Sequence, residues 1–393
     1  MNDPITRRDA LRFSLAGMLA ANLDAAVAAE SSDPPLLTPM KDFQDVSRGT
    51  PLPHTLKGDA LVQAKLTQDT WRLEIVADEK VTLQKPKKLD DNTALDFNAL
   101  LELGKTHGVK FLKAMQCNNI AKPLGQGIWE GVPLRELLRL CGKSDNVRRL
   151  YYWGFHNNDP KQIFRSSLAI NQVLDTPPNE LPVFVAYRLN GEPIPLIRGG
   201  PVRMVVPWAH GFKSVKWLQR IVLTNDFQAN DTYAEKNNDP ESYLKTAAYF
   251  DDFSVEKFPM GTPITIRGTA MVGWPGLKRV EYWLRPDAGT KGVIADDDPA
   301  WSSAKWVPCE IVPFPDGEIP RDVWGLDVNG KPKEWPLRFS YCFWRLVLKD
   351  VVPGEYELRV RTVDQNGVAQ PEPRPHQRSG RNLVQCKRFS VLK

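Results

Sequence analysis

Val109-Lys110-Phe111-Leu112-Lys113-Ala114-Met115-Gln116-Cys117-Asn118-Asn119 is the stretch on which the reading of this chain turns. Val109 to Gln116 predicts a strand that delivers Cys117 to a loop. Helical patterns flank it, Ala99 to Thr106 before and Pro133 to Cys141 after. Further upstream, Thr70 to Val76 alternates apolar and polar residues, which predicts another strand. Residues 30–60 are punctuated by Pro and Gly and read as an extended arm laid on the domain surface. Residues 182–224 are β-rich, with strands expected at Val202 to Pro207 and Ser214 to Leu223. The part spanning 30–250 is therefore mixed α and β.

The pattern changes near residue 250. Pro263 to Gly268 opens a series of short strands separated by turns, continued by Arg279 to Leu284, Trp306 to Ile311, Phe339 to Leu348 and Glu355 to Val363. Strands at this spacing without helical segments predict a β-sandwich over 251–393. The fold class expected is α+β, with the division between residues 245 and 262.

Composition narrows the function classes. The 393 residues hold 52 Lys and Arg against 47 Asp and Glu, a net charge of +5, and no long run of like charge occurs. A nucleic-acid partner is not indicated. The five cysteines, Cys117, Cys141, Cys309, Cys342 and Cys386, are widely spaced and form no C-x-x-C pair. That disfavours a zinc knuckle and excludes a c-type haem attached through C-x-x-C-H to these residues. There is no G-x-S-x-G, H-E-x-x-H or G-x-G-x-x-G motif either.

Residues 1–29 read as a targeting segment. Arg7-Arg8 precede the apolar stretch Phe13 to Leu23, and Ala26-Val27-Ala28 offers a small-residue cleavage site. The apolar stretch is too short to span a membrane. Twin-arginine export carries folded proteins, often with a cofactor already inserted, so the expected location is the periplasm.

Three further segments follow in order: Gln116-Cys117-Asn118-Asn119 with Trp129-Glu130-Gly131-Val132-Pro133-Leu134; Ala186 to Pro193 with Arg198-Gly199-Gly200-Pro201-Val202-Arg203; and Gly211-Phe212-Lys213-Ser214-Val215-Lys216-Trp217-Leu218. In order and spacing they resemble the sulfite oxidase family of molybdopterin-dependent oxidoreductases, across nearly all of the chain after the leader. The C-terminal part is similar to that family's immunoglobulin-like dimerisation domain, which implies a homodimer.

The resemblance implies a molybdenum–molybdopterin cofactor with Cys117 as the protein ligand to the metal; a soft thiolate suits a transition metal. Taken without it, a lone cysteine is equally a buried inert residue. The pterin carries a phosphate, for which the resemblance nominates Arg198, Arg203, Lys213 and Lys216; each taken singly is also a solvated surface cation. The chain departs from the family at Arg198, where histidine is common. For a small anionic sulfur substrate such as sulfite, Arg48 and Lys122 match positions of substrate-facing arginines, with lysine losing the bidentate geometry at 122. An active-site tyrosine is expected at Tyr233, with Asn237 the alternative by counting. His156 and His210 lie in aromatic-rich loops and either line the cavity or serve as structural histidines.

The activity implied is oxidation of sulfite to sulfate, with electrons passed to a separate protein such as a cytochrome c. Two other readings stay open. One is an enzyme acting on a different sulfur compound, a sulfane sulfur or a sulfoxide. The other is a cofactor-free binding protein that uses the β-sandwich.

Overall fold

The strand leading to Cys117 runs Val109–Met115 and pairs antiparallel with Gly125–Pro133, so Cys117 sits in the loop closing a hairpin. The computed structural model describes residues 34–393 apart from 119, 121, 242, 252–255, 288, 290–293, 295–297 and 372–381; the leader expected over 1–29 lies outside the described residues. Leu36–Lys393 form one compact unit.

Two sheets build its first part. One joins Glu192–Pro193, Phe184–Leu189, Gly125–Pro133 and Val109–Met115, with Arg203–Val205 added on Phe184–Leu189. The other orders Leu95–Asp96, Arg72–Ala77, Leu218–Thr224, Arg149–Gly154 and Ser166–Ala169, with Arg72–Ala77 and Leu218–Thr224 parallel. Their apolar faces share one core, in which Phe111 meets Phe184 edge-on at 5.0 Å. Both rings are fully buried, and truncating either to Ala costs about 3–5 kcal/mol. The helix Phe97–His107 starts where Asp96 accepts a hydrogen bond from the Ala99 amide at 2.8 Å and carries Lys105 and His107 in its last turn. Cap and macrodipole both favour that placement.

The arm lies on the surface for most of its length and is anchored by buried Leu36 and Phe43; Phe43 packs where a Cβ on Gly125 would stand, 2.3 Å from its ring. One expectation is corrected. The strand expected from Ser214 starts only at Leu218. A 3₁₀ turn at Gly211–Lys213 and the left-handed backbone of Trp217, φ 53°, interrupt it.

The C-terminal part is all-β. Ala247–Phe250, Ile264–Met271, Tyr341–Leu348 and Glu310–Ile311 form one sheet; Lys257–Pro259, Gln385–Leu392, Gly354–Asp364, Leu277–Pro286 and Val307–Pro308 form the other. Trp344, Leu358 and Phe389 belong to the core between them. Its first strand begins at Ala247, ahead of residue 250. This sandwich backs the Cys117 hairpin directly: Ala114 N donates to Phe339 O at 3.0 Å, and Gln126 exchanges hydrogen bonds with the Tyr341 backbone at 2.6 and 3.1 Å. None of the helices among the described residues is long and apolar enough to cross a membrane.

Candidate active site

Cys117, Arg48, Tyr233, Arg198, Arg203 and Lys216 all line one cleft. The empty space within it is about 1100 Å³, open solvent at its mouth included, enough for a small cofactor. Four separate segments meet there: the arm around Phe43 to Arg48, the Cys117 loop, the turn Leu196–Arg198 with Arg203, and Gly211 to Trp217.

The Cys117 loop is fixed by its neighbours. Leu124 N donates to Met115 O at 2.7 Å, closing its base. Gln116 Nε2 donates to the carbonyls of Cys117 and Ile120 at 2.9 and 2.7 Å, and Gly211 N donates to Gln116 O at 2.7 Å. Main-chain contacts thus fix the loop that carries the sulfur. Cys117 forms no disulfide and is only partly buried.

Three cations line the same cleft. Arg203 is buried, donates to Arg198 O at 2.8 Å and to Ser214 O, and lies over the Trp129 ring at 5.0 Å. Burial, and then repulsion from Arg198, bring its pKa down to about 9. Arg198 donates to Phe43 O and Gln44 O at 2.6 and 3.0 Å, and burial lowers its pKa as well. Lys216 donates to Asp45, Ser47 and Ile197 O at 2.7–2.8 Å; burial and Arg203 bring it down to about 8 against the opposing pull of Asp45. Gly199, φ 97°, leaves the space that Lys216 fills; a Cβ there would come within 2.6 Å of the lysine side chain.

Nε of Arg198, Nε of Arg203 and Nε1 of Trp129 are buried and make no hydrogen bond. Unmet buried donors beside mutually repelling cations call for an anion. A phosphate-bearing cofactor meets that requirement, and Cys117 in the same cleft would offer a thiolate to a soft metal. The residues present fit molybdopterin.

Tyr233 comes from the short helix Thr232–Glu235 and stacks on Phe212, centroids 3.8 Å apart at 7°. Its hydroxyl donates to Asn118 Oδ1 at 3.1 Å. Burial, and then the charge of Cys117, push the phenol up to about 12. Phe164 meets the same ring edge-on at 5.9 Å and carries the Arg48 guanidinium over its face at 4.9 Å.

Three candidates from the sequence point elsewhere. Lys122 is exposed and lines a separate cleft with Asp42, Tyr249 and Asp251, because the loop turns between Cys117 and Pro123. Lys213 is buried facing inward, donating to Ser167 O at 2.6 Å, because its 3₁₀ turn directs it behind the cleft wall. His156 lines a third pocket beyond Gly154 and Phe155, its Nδ1 3.3 Å from Gly154 O. Of the alternatives at the tyrosine position, Tyr233 lines the cleft and Asn237 does not; buried His210 is likewise absent from its lining.

Sequence reasoning missed Lys113. It is fully buried, donates to Pro207 O and Ala209 O at 2.6 and 3.3 Å, and burial followed by Arg203 brings it down to about 7. It also missed Asp45, whose hydrogen bonds from Lys216 and Ser47 outweigh burial and lower its pKa. Nothing local in the sequence marks either.

Comparison with known proteins agrees with this arrangement. Residues 59–232 match the family model described as an oxidoreductase molybdopterin binding domain. The chain is 24% identical over 277 residues to nitrate reductase [NADH] 2 of Phaseolus vulgaris, and 26% identical over 270 residues to inducible nitrate reductase [NADH] 2 of Glycine max. These matches cover 62% and 64% of this chain but only 28% of each relative's length. Among solved structures, the sulfane dehydrogenase SoxCD from Paracoccus pantotrophus superposes with a TM-score of 0.58 at 18% identity, over 87% of this chain and 86% of that one. Residues 59–232 thus carry a molybdopterin-binding oxidoreductase domain, within a chain that shares the fold of the sulfane dehydrogenase.

Proposed function

We propose that the chain oxidises sulfite to sulfate in the periplasm and passes the electrons to a separate carrier such as a cytochrome c. One observation carries the reading: the cleft that holds Cys117 and Arg48 is also lined by Arg198 and Arg203, each with a buried Nε that makes no hydrogen bond. Arg203 and Arg198, with Lys216, hold the pterin phosphate, and Cys117 ligates the metal. When bound, molybdopterin supplies a molybdenum centre that accepts two electrons and exchanges an oxygen atom with the substrate. Arg48 attracts the oxyanion into the cleft. The Phe212 and Phe164 rings shield the space around Tyr233 from water, and the Tyr233 phenol, protonated at neutral pH, keeps its proton on Asn118 Oδ1 and offers its oxygen as an acceptor. The twin arginines supply export, and 251–393 pair two copies in this reading.

A second reading has a specific observation in its favour. Lys122 faces another cleft, so Arg48 lacks that second cation beside it, and aromatic rings surround the approach to Cys117. A less charged sulfur compound, a sulfane sulfur or a sulfoxide, suits such a lining. The test is steady-state reduction of ferricyanide by purified exported protein of measured molybdenum content. Turnover with sulfite that scales with molybdenum supports the first reading. Full molybdenum without sulfite turnover, but with oxidation of a persulfide, supports the second.

A further inference from the structure

A buried ionic network stands directly behind the Tyr233 helix. Asp231, fully buried, accepts hydrogen bonds from the Tyr233 and Ala234 amides through Oδ1, both at 3.0 Å, and from Ser167 Oγ through Oδ2 at 2.7 Å. Arg149 Nη1 donates to the same Ser167 Oγ at 3.2 Å. Lys213 Nζ donates to Ser167 O at 2.6 Å and stands 3.7 Å from Glu241, which is also 3.6 Å from Arg149. Lys213 and Arg149 thus lie between buried Asp231 and half-buried Glu241.

The strand segment preceding Ser167 completes the attachment. Thr232 N donates to Arg165 O and Arg165 N to Thr232 Oγ1, both at 3.0 Å, while Phe164 packs edge-on against Tyr233. A single turn of helix has too few internal bonds to hold a ring in one place. Its orientation is set from outside, by the carboxylate that caps it.

We propose that Asp231 is a positioning residue: with Ser167 and the inward-turned Lys213 it fixes the turn that lays Tyr233 on Phe212 and brings its phenol to Asn118 beside Cys117. The proposal rests on the reading that substrate reacts in the Cys117 cleft. It also gives Lys213 a role, since a cation behind the wall compensates Asp231 where it cannot reach the cofactor.

The test is a double-mutant cycle in the full-length holoenzyme, with Asp231→Ala, Tyr233→Phe and the pair. Acting through Tyr233, Asp231→Ala, which removes the cap, lowers kcat by about ten-fold, and the double variant is no slower than Tyr233→Phe alone. If the two losses multiply, to about a hundred-fold, the proposal is overturned. Should Asp231→Ala yield no holoenzyme, Ser167→Ala removes one hydrogen bond to the same carboxylate and enters the same cycle. Amide exchange read by mass spectrometry decides the matter even if sulfite is not the substrate. The peptide covering 231–236 exchanges faster in either variant while the one covering 109–115 is unchanged. Unaltered exchange at 231–236 rejects the positioning role.

Discussion

Arg203 donates a 2.8 Å hydrogen bond to the main-chain oxygen of Arg198, so two guanidinium groups that repel each other are held on one wall of the Cys117 cleft. Holding them there without an anion is costly, because burial and like charge both disfavour their ionised forms. The arrangement is preorganised for a phosphate. Arg203→Ala should therefore lower molybdenum per chain by roughly ten-fold, the loss of one charge-assisted contact. Metal analysis of protein with unchanged far-ultraviolet circular dichroism checks it.

Arg48 and Lys122 should separate cleanly. Arg48 lines the Cys117 cleft and Lys122 lines another. Arg48→Ala should raise the KM for sulfite by about ten-fold, whereas Lys122→Ala stays within about two-fold of the parent. Equal effects of the two would mean that both side chains face the substrate.

Tyr233→Phe removes the 3.1 Å hydrogen bond to Asn118 but keeps the ring on Phe212. The expected result is a kcat lower by about ten-fold with molybdenum content unchanged. Loss of metal instead would make the phenol part of cofactor retention.

The strand that delivers Cys117 and the helix after its loop are legible in the sequence; the return strand Gly125–Pro133, with three glycines and no alternation, is not. The succession of short strands after residue 250, each bounded by turn residues, is legible too. What cannot be read is which way a side chain leaves an irregular turn. Lys213 and Lys216 are three residues apart in one motif, yet the 3₁₀ turn sends the first behind the wall and leaves the second on it. Lys122 follows Cys117 closely, but the turn carries it to the far side. Asp231 and Ser167 meet only in three dimensions, so no spacing announces them.

Lys113 gives the fold a pH dependence of unusual sign. Unfolded, it keeps its proton well above neutrality; folded, it loses it near pH 7. Between pH 7 and 8.5 the unfolded chain therefore binds more protons, and stability of the cofactor-free protein should rise with pH, by at most about 1.4 kcal/mol per unit from this residue. Urea unfolding of the parent and Lys113→Met across that window measures it. A slope retained in Lys113→Met would assign the effect to other groups.

The most direct test of the account is X-ray absorption at the molybdenum edge, comparing the parent with Cys117→Ser. If Cys117 ligates the metal beside the two dithiolene sulfurs of one pterin, the variant retains molybdenum with one sulfur fewer in its coordination shell and turns over no substrate. An unchanged sulfur count in Cys117→Ser, or activity equal to the parent, would contradict it.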